Sequence, residues 1–374
     1  MARKASRRGG RPSIGYAVIG LGHIAQVAVL PAFAHAKENS RLSALVSGDA
    51  RKRKALAARH RVPAFGYEDL DDVLAREDVD AVYVALPNTL HADCAIRAAR
   101  SGVHVLTEKP MATSEEACRR MIAAAAESEV KLMVAYRLHF ERANLEAIEA
   151  VRSGRIGEPR FFTSEFSYQV KAGNIRTESG LGGGALWDIG IYCVNAARYL
   201  FRAEPTEVMA MQAEGRDRRF RGVPEGWSVL LRFPEERLAS FTCSFGAAPT
   251  GNYRIVGTKG DLRLDPAYEY TGSLVRHLTV DERTAVKRYP PSDQFAPELV
   301  AFSRCVLEDR DPEPDGWEGL ADVRVVEAVL RSAREGRPVR IEPLERRRRP
   351  TASQGRRRPP AKEPPTVGAE APHD

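Results

Sequence analysis

Residues 14–36 constrain this chain more than any other stretch. Ile14–Ile19 is a short, largely apolar run that reads as a strand, and helical periodicity covers His23 to about Ala36. Between them stands Gly20-Leu21-Gly22-His23-Ile24-Ala25, which fits a dinucleotide fingerprint with alanine in its last position. Each small residue has a separate physical task. Gly20 permits a tight turn out of the strand. Gly22 lets backbone approach a pyrophosphate. Ala25 lets the helix pack closely on the strand, with its positive end toward phosphate. A glycine-rich turn without a ligand would need only the first of these, and the strand–turn–helix setting favours the nucleotide reading.

The pattern that follows repeats the theme. Leu42–Ser47, Asp80–Ala85, Val103–Leu106 and Lys131–Ala135 read as strands, and Arg51–His60, His91–Ser101 and Ser114–Ser128 as helices. Continuous apolar strands alternating with helices predict a parallel sheet covered on both faces. Beyond Tyr136 the character changes. Arg160–Tyr168, Val208–Ala213, Trp227–Phe233 and Leu238–Phe245 alternate apolar and polar residues, as antiparallel strands do. Helices return at Glu298–Leu307 and Gly319–Arg334, and Gly336 stops the last. The expected fold class is α/β, with an N-terminal Rossmann domain over 14–136. A C-terminal α/β domain with a mostly antiparallel sheet is expected over 137–342.

The 374 residues carry a net charge of +7, but this charge belongs to the ends. Residues 1–13 hold five basic and no acidic side chains, and residues 343–374 hold eight basic and four acidic ones, which leaves −2 between them. We therefore expect a flexible basic N-terminus and a disordered Arg/Pro-rich tail, not a nucleic-acid groove. No apolar run approaches the ~20 residues of a membrane helix, and no signal-peptide order follows the basic start. The five cysteines are widely spaced, with none in a metal-binding or disulfide pattern. A cytoplasmic protein without a metal is expected.

The end of the second strand bears on the choice of dinucleotide. An acidic residue there would bind a ribose 2′-hydroxyl. This chain has Ser47-Gly48-Asp49, then Arg51, Lys52 and Arg53. A hydroxyl, a glycine and nearby cations suit a 2′-phosphate, so NADP is expected, with NAD as the alternative. Asp49 argues the other way, since it could reach a ribose.

Further segments complete the pattern. Thr107-Glu108-Lys109-Pro110 follows the fourth strand, on the edge of the sheet where ligands bind. Gly182-Gly183-Gly184 precedes a helix on which Asp188 and Tyr192, four apart, share one face. With Gly20–Ala25, Leu86-Pro87-Asn88-Thr89-Leu90-His91, Glu108-Lys109-Pro110 and Asp188-x-x-x-Tyr192, the chain resembles the Gfo/Idh/MocA oxidoreductases over about residues 14–342. Ala44–Gly48, Tyr136-Arg137-x-His139-Phe140 and Asp188–Tyr192 resemble its glucose–fructose oxidoreductase branch. The short segment before the first strand differs from the long N-terminal arm of that branch, which argues for a freely exchanging cofactor.

The resemblance implies a sugar or polyol substrate and a homodimer or homotetramer formed through the C-terminal sheet. It implies that Lys109, Asp188 and Tyr192 are catalytic. It also implies that Gly20, Gly22, His23, Ile24, Ala25, Ser47, Gly48, Lys52, Leu86, Pro87, Asn88, His91, Glu108, Lys109 and Arg137 line the cofactor. The chemistry agrees. Oxidising an alcohol moves a hydride to nicotinamide and a proton to a base, and a lysine ammonium beside a phenol favours the phenolate. Tyr192 is thus the expected acid/base, Lys109 the polarising cation, and Asp188 the group that orients the sugar and balances the lysine. A trans-dihydrodiol or other diol dehydrogenase is the alternative activity. A non-catalytic dinucleotide sensor is the alternative of another class, and it would have lost Lys109 or Tyr192.

Overall fold

The computed structural model of the chain describes residues 12–345 and 348–373. Most of the expected basic N-terminus lies outside the described residues. Contacts divide the rest into two units: residues 12–137, 292–319 and 357–371 form one, and residues 138–291, 320–356 and 372–373 form the other.

The first unit holds a six-stranded sheet of β1 (Ile14–Ile19), β2 (Ser40–Val46), β3 (Ala64–Phe65), β4 (Ala81–Val84), β5 (His104–Glu108) and β6 (Leu132–Ala135). Its order is β3-β2-β1-β4-β5-β6 and every paired neighbour is parallel. This is the dinucleotide-fold order, whose switch point lies between β1 and β4. All residues of β1 and β4 are buried, as strands covered on both faces require. The helix Ala296–Leu307 also belongs to this unit and not to a continuous second domain. Its Ser303 hydroxyl lies 2.7 Å from Tyr16 on β1 and 2.7 Å from Ser40 on β2.

The second unit holds nine strands: β7 (Pro159–Ser167), β8 (Glu207–Ala213), β9 (Gly226–Arg232), β10 (Leu238–Ser244), β11 (Thr250–Gly257), β12 (Gly260–Leu264), β13 (Leu274–Val280), β14 (Arg283–Tyr289) and β15 (Val339–Arg340). Their order is β14-β13-β12-β11-β7-β10-β9-β8-β15, antiparallel except for β7 with β10. The alternation sends Trp227, Val229 and Leu231 inward and leaves Leu230 exposed. On the buried side the helix Ile191–Phe201 covers the sheet. Gly190 before it is needed for this approach, because a Cβ there would lie 3.0 Å from Cys243 Sγ.

The expected disordered tail is described here as an irregular path with one short turn, Ala352–Gln354, and with Pro350 and Pro372 buried. Among the described residues no helix is long and apolar enough to cross a membrane.

Candidate active site

The first unit gathers its candidate residues at the carboxyl ends of β1, β2, β4, β5 and β6. Gly20 has φ +95°, and a Cβ there would lie 2.3 Å from the Ala85 carbonyl. Only glycine fits that turn. A Cβ on Gly22 would meet nothing within 4 Å, so the backbone borders open space where a pyrophosphate would lie. Ala25 is fully buried, whereas His23 and Ile24 are half-buried at the helix start. Ala25–Val29 is a π-helical turn ahead of Pro31. Proline has no N–H to donate, and such turns cluster at functional sites.

At the end of β2, Ser47 is buried and its hydroxyl accepts the Asp49 N–H at 3.2 Å. Asp49 caps the helix Ala50–His60, accepting the N–H groups of Arg51 at 2.8 Å and Lys52 at 3.2 Å. Those backbone bonds, the one from Lys52 first, lower its pKa. One oxygen of the carboxylate that could have taken a ribose, Oδ1, is thus committed to a cap, while Gly48 is exposed and Lys52 half-buried beside it. These features fit a 2′-phosphate.

Leu86, Pro87 and Asn88 follow β4 and are half-buried. His91 is a correction to the sequence reading. It is fully buried, with Nε2 2.8 Å from the Leu86 carbonyl and Nδ1 2.8 Å from the Pro110 carbonyl. Both ring nitrogens are committed to backbone, so His91 ties the Leu86 loop to the Lys109 loop and presents no edge to a ligand. Burial lowers its pKa against the opposing pull of those two carbonyls.

Glu108 ends β5. It accepts the Tyr83 hydroxyl at 2.8 Å and the Lys109 N–H at 3.3 Å. Burial raises its pKa, partly offset by Lys109. The Lys109–Pro110 peptide is cis. Arg137 is buried and donates to Gln294 Oε1 at 2.6 Å. Glu298 was not foreseen. It is fully buried, both its carboxyl oxygens lack hydrogen-bond partners among the described residues, and burial followed by Glu108 pushes its pKa well up. Nothing in local sequence marks it, since residues 292–319 join this unit only through long-range packing.

In the second unit Asp188 lies in a π-helical turn, Leu186–Gly190, and Tyr192 in the α-helix that continues it. Asp188 Oδ2 accepts from Arg176 Nε at 2.7 Å and from the Tyr168 hydroxyl at 2.9 Å. Arg176 therefore balances this carboxylate within its unit, a partner the sequence reading did not name. Burial and the nearby Asp188 raise the Tyr168 pKa strongly. The glycine run explains how Arg176 arrives. Gly184 N–H donates to the Arg176 carbonyl at 2.8 Å, and a Cβ on Gly183 would lie 2.6 Å from that same oxygen. The Tyr192 ring packs edge-on against Phe166 at 5.8 Å and lies 6.0 Å from Tyr268. His139, from the Tyr136–Phe140 stretch, is fully buried against Asn195 Oδ1 at 2.8 Å, and Asn195 in turn donates to Asp322. It belongs to a buried network with Arg198, Glu204 and Asp322. The sites thus divide, with the nucleotide residues and Lys109 on the first unit and Asp188 and Tyr192 on the second.

Comparison with known proteins adds to this geometry. Residues 14–136 match the family model described as an oxidoreductase family with an NAD-binding Rossmann fold. Residues 144–263 match the GFO/IDH/MocA C-terminal domain. A D-xylose 1-dehydrogenase (NADP(+)) of Haloferax volcanii is 31% identical over 87% of this chain and 99% of its own. Among solved structures, an aldose–aldose oxidoreductase of Caulobacter crescentus, complexed with glycerol, is similar with a TM-score of 0.84 and 39% identity, covering 88% of this chain and 100% of that one. A 3-ketoreductase of Actinomadura kijaniata, in complex with NADP and TDP-benzene, is similar with a TM-score of 0.79 and 32% identity, covering 86% and 98%.

Proposed function

The chain belongs to the Gfo/Idh/MocA oxidoreductases, and from that premise we propose that it is an NADP-dependent oxidoreductase acting on the CH–OH group of an aldose or related polyol. The observation that carries the reading is the set of nucleotide-binding features at the strand ends: open space beside Gly22, Asp49 spent as a cap, and Lys52 next to it. The activities of the relatives supply the substrate class, since two of the three act on aldoses and two use or hold NADP.

NADP supplies the carbon that accepts the hydride, or donates it in the reverse direction. The chain's own residues manage the proton and the orientation. The Tyr192 hydroxyl takes the proton of the reacting alcohol during oxidation and returns it during reduction. The Lys109 ammonium polarises the reacting oxygen. Asp188, aligned by Arg176 and Tyr168, accepts hydrogen bonds from sugar hydroxyls. Gly20, Gly22, His23, Ile24 and Ala25 hold the pyrophosphate, with Ser47, Gly48 and Lys52 at the 2′-phosphate. Leu86, Pro87 and Asn88 flank the ribose, and Glu108 and Arg137 line the nicotinamide side. None of the five cysteines forms a disulfide, which suits a reducing compartment such as the cytoplasm. The protein assembles as a homodimer or homotetramer through the exposed face of its large sheet.

The test is a panel of aldoses, ketoses, polyols and dihydrodiols assayed with NADP and NAD in both directions. Turnover of aldoses with NADP is the expected result. Turnover of dihydrodiols alone would select the diol dehydrogenase, and nucleotide binding without any turnover would select a sensor.

A further inference from the structure

The Arg/Pro-rich C-terminal segment follows a defined path over the candidate nucleotide site. Arg358 forms an ion pair with Glu38, and its carbonyl accepts the Asp293 N–H at 3.3 Å. The Pro365 carbonyl accepts from Arg59 Nη1 at 2.8 Å. Val367 then pairs reciprocally with the Gln26 amide. Its N–H donates to Gln26 Oε1 at 2.8 Å, and its carbonyl accepts from Gln26 Nε2 at 3.0 Å. The same Nε2 donates to the Leu21 carbonyl at 2.9 Å, inside the Gly20–Ala25 turn. One residue on, a Cβ at Gly368 would lie 3.3 Å from Lys52 Cε and 3.5 Å from Asp49 Oδ2. The segment thus runs from the turn assigned to the pyrophosphate to the edge assigned to the 2′-phosphate, yet leaves Gly22 bordering open space.

Residues 372–373 group with the second unit. Pro372 is buried and its carbonyl accepts the Lys171 N–H at 2.8 Å. The His373 ring lies 4.8 Å from that of Tyr168, which holds Asp188. Four prolines in residues 359–365 lower the entropy lost in fixing this path, and the four carbonyls that accept hydrogen bonds, of Arg358, Pro365, Val367 and Pro372, need no N–H from the segment.

We propose that residues 357–371 are a strap that forms part of the NADP site and slows cofactor exchange, with Val367 and Gly368 as its contact point. This rests on the NADP reading above. It reverses the expectation of free exchange: the retaining element is at the C-terminal end and not before the first strand.

The experiment measures NADPH release, followed by its fluorescence after displacement with excess NADP. Three proteins are compared: the full chain, a chain lacking residues 357–374, and Val367→Pro, which removes the N–H donated to Gln26. A net hydrogen bond is worth a factor of a few in an equilibrium, so loss of the reciprocal pair should speed release by about tenfold in the shortened chain. Val367→Pro should give a severalfold increase, and it retains a test if the shortened chain fails to fold. Unchanged release in the folded variants would overturn the strap. So would tighter NADPH binding after shortening, which would make the segment a competitor. Failure of the full chain to bind NADPH at all would instead remove the nucleotide reading on which the strap rests.

Discussion

At the residue scale, the proposal rests on three side chains, Lys52 for the cofactor and Tyr192 and Lys109 for the chemistry. Lys52 stands beside a carboxylate already spent on its own helix, so its charge is available to a 2′-phosphate. Lys52→Ala should raise the KM for NADP far more than that for NAD, because only NADP loses a charge-assisted contact. Steady-state kinetics with both nucleotides checks this, and an equal effect on both would remove Lys52 from the site. Tyr192→Phe deletes a single hydroxyl and should leave the fold and NADP binding intact while kcat falls by ~10²–10⁴. Lys109→Ala should cost a similar factor and the double variant little more, since groups that act as a unit are not additive. Full additivity in that cycle would separate the two roles. The candidate residues themselves were legible in sequence, because short glycine and Glu-Lys-Pro patterns have local causes. Their partners were not. Arg176 reaches Asp188 through a turn that depends on Gly183 and Gly184, and no periodicity marks such a pairing. His91 shows the opposite error, since a residue in the right motif proved to be a brace inside the loop.

At the element scale, five of the six strands of the parallel sheet were readable because burial on both faces forces continuous apolar runs, whereas the two-residue, half-buried β3 was missed. The helix capped by Ser114 was equally readable from its N-cap signal, and Ser114 Oγ accepts the Ala117 N–H at 3.1 Å. The hairpin of β13 and β14 was missed, because its outer strand is largely exposed and polar and carries little pattern. One element contact has a measurable pH signature. His104 on β5 is buried, and its Nδ1 accepts the Lys131 N–H at 3.0 Å, which requires the neutral ring. Burial, reinforced by Lys131, lowers its pKa to about 4. The unfolded chain takes up this proton near the ordinary histidine value of ~6.5. Between that value and about 4 the unfolded state therefore binds more protons, and stability falls as pH drops. The effect is on the order of 3 kcal/mol and levels off below the folded value. Denaturant unfolding across this range should show the slope in the wild type and a flatter one in His104→Gln. Equal slopes would mean that His104 is protonated in the folded state.

At the scale of the whole molecule, sequence order and spatial grouping part company. Residues 292–319 return to the nucleotide-binding unit after the large sheet is complete, and the charged tail, which composition alone assigns to solvent, is pinned to named side chains. Both depend on long-range contacts that leave no local trace. The outer face of the large sheet carries Phe161 and Leu230, each 46% exposed, and Leu238, 39% exposed, with Phe161 and Leu238 directly paired across β7 and β10. Exposed apolar groups clustered on one face favour a symmetric interface. Light scattering at micromolar concentration should show a dimer or tetramer, and Phe161→Asp with Leu238→Asp should shift it toward monomer. A wild-type monomer would contradict that assembly. The central claim is that the whole chain moves a hydride between a sugar carbon and NADP, and it is tested most directly by isotope transfer. An aldose deuterated at C1 is turned over with NADP, and the reduced nucleotide is analysed by mass spectrometry and NMR. The account predicts deuterium on the nicotinamide C4; unlabelled NADPH, or no reduction with any aldose or polyol, would contradict it.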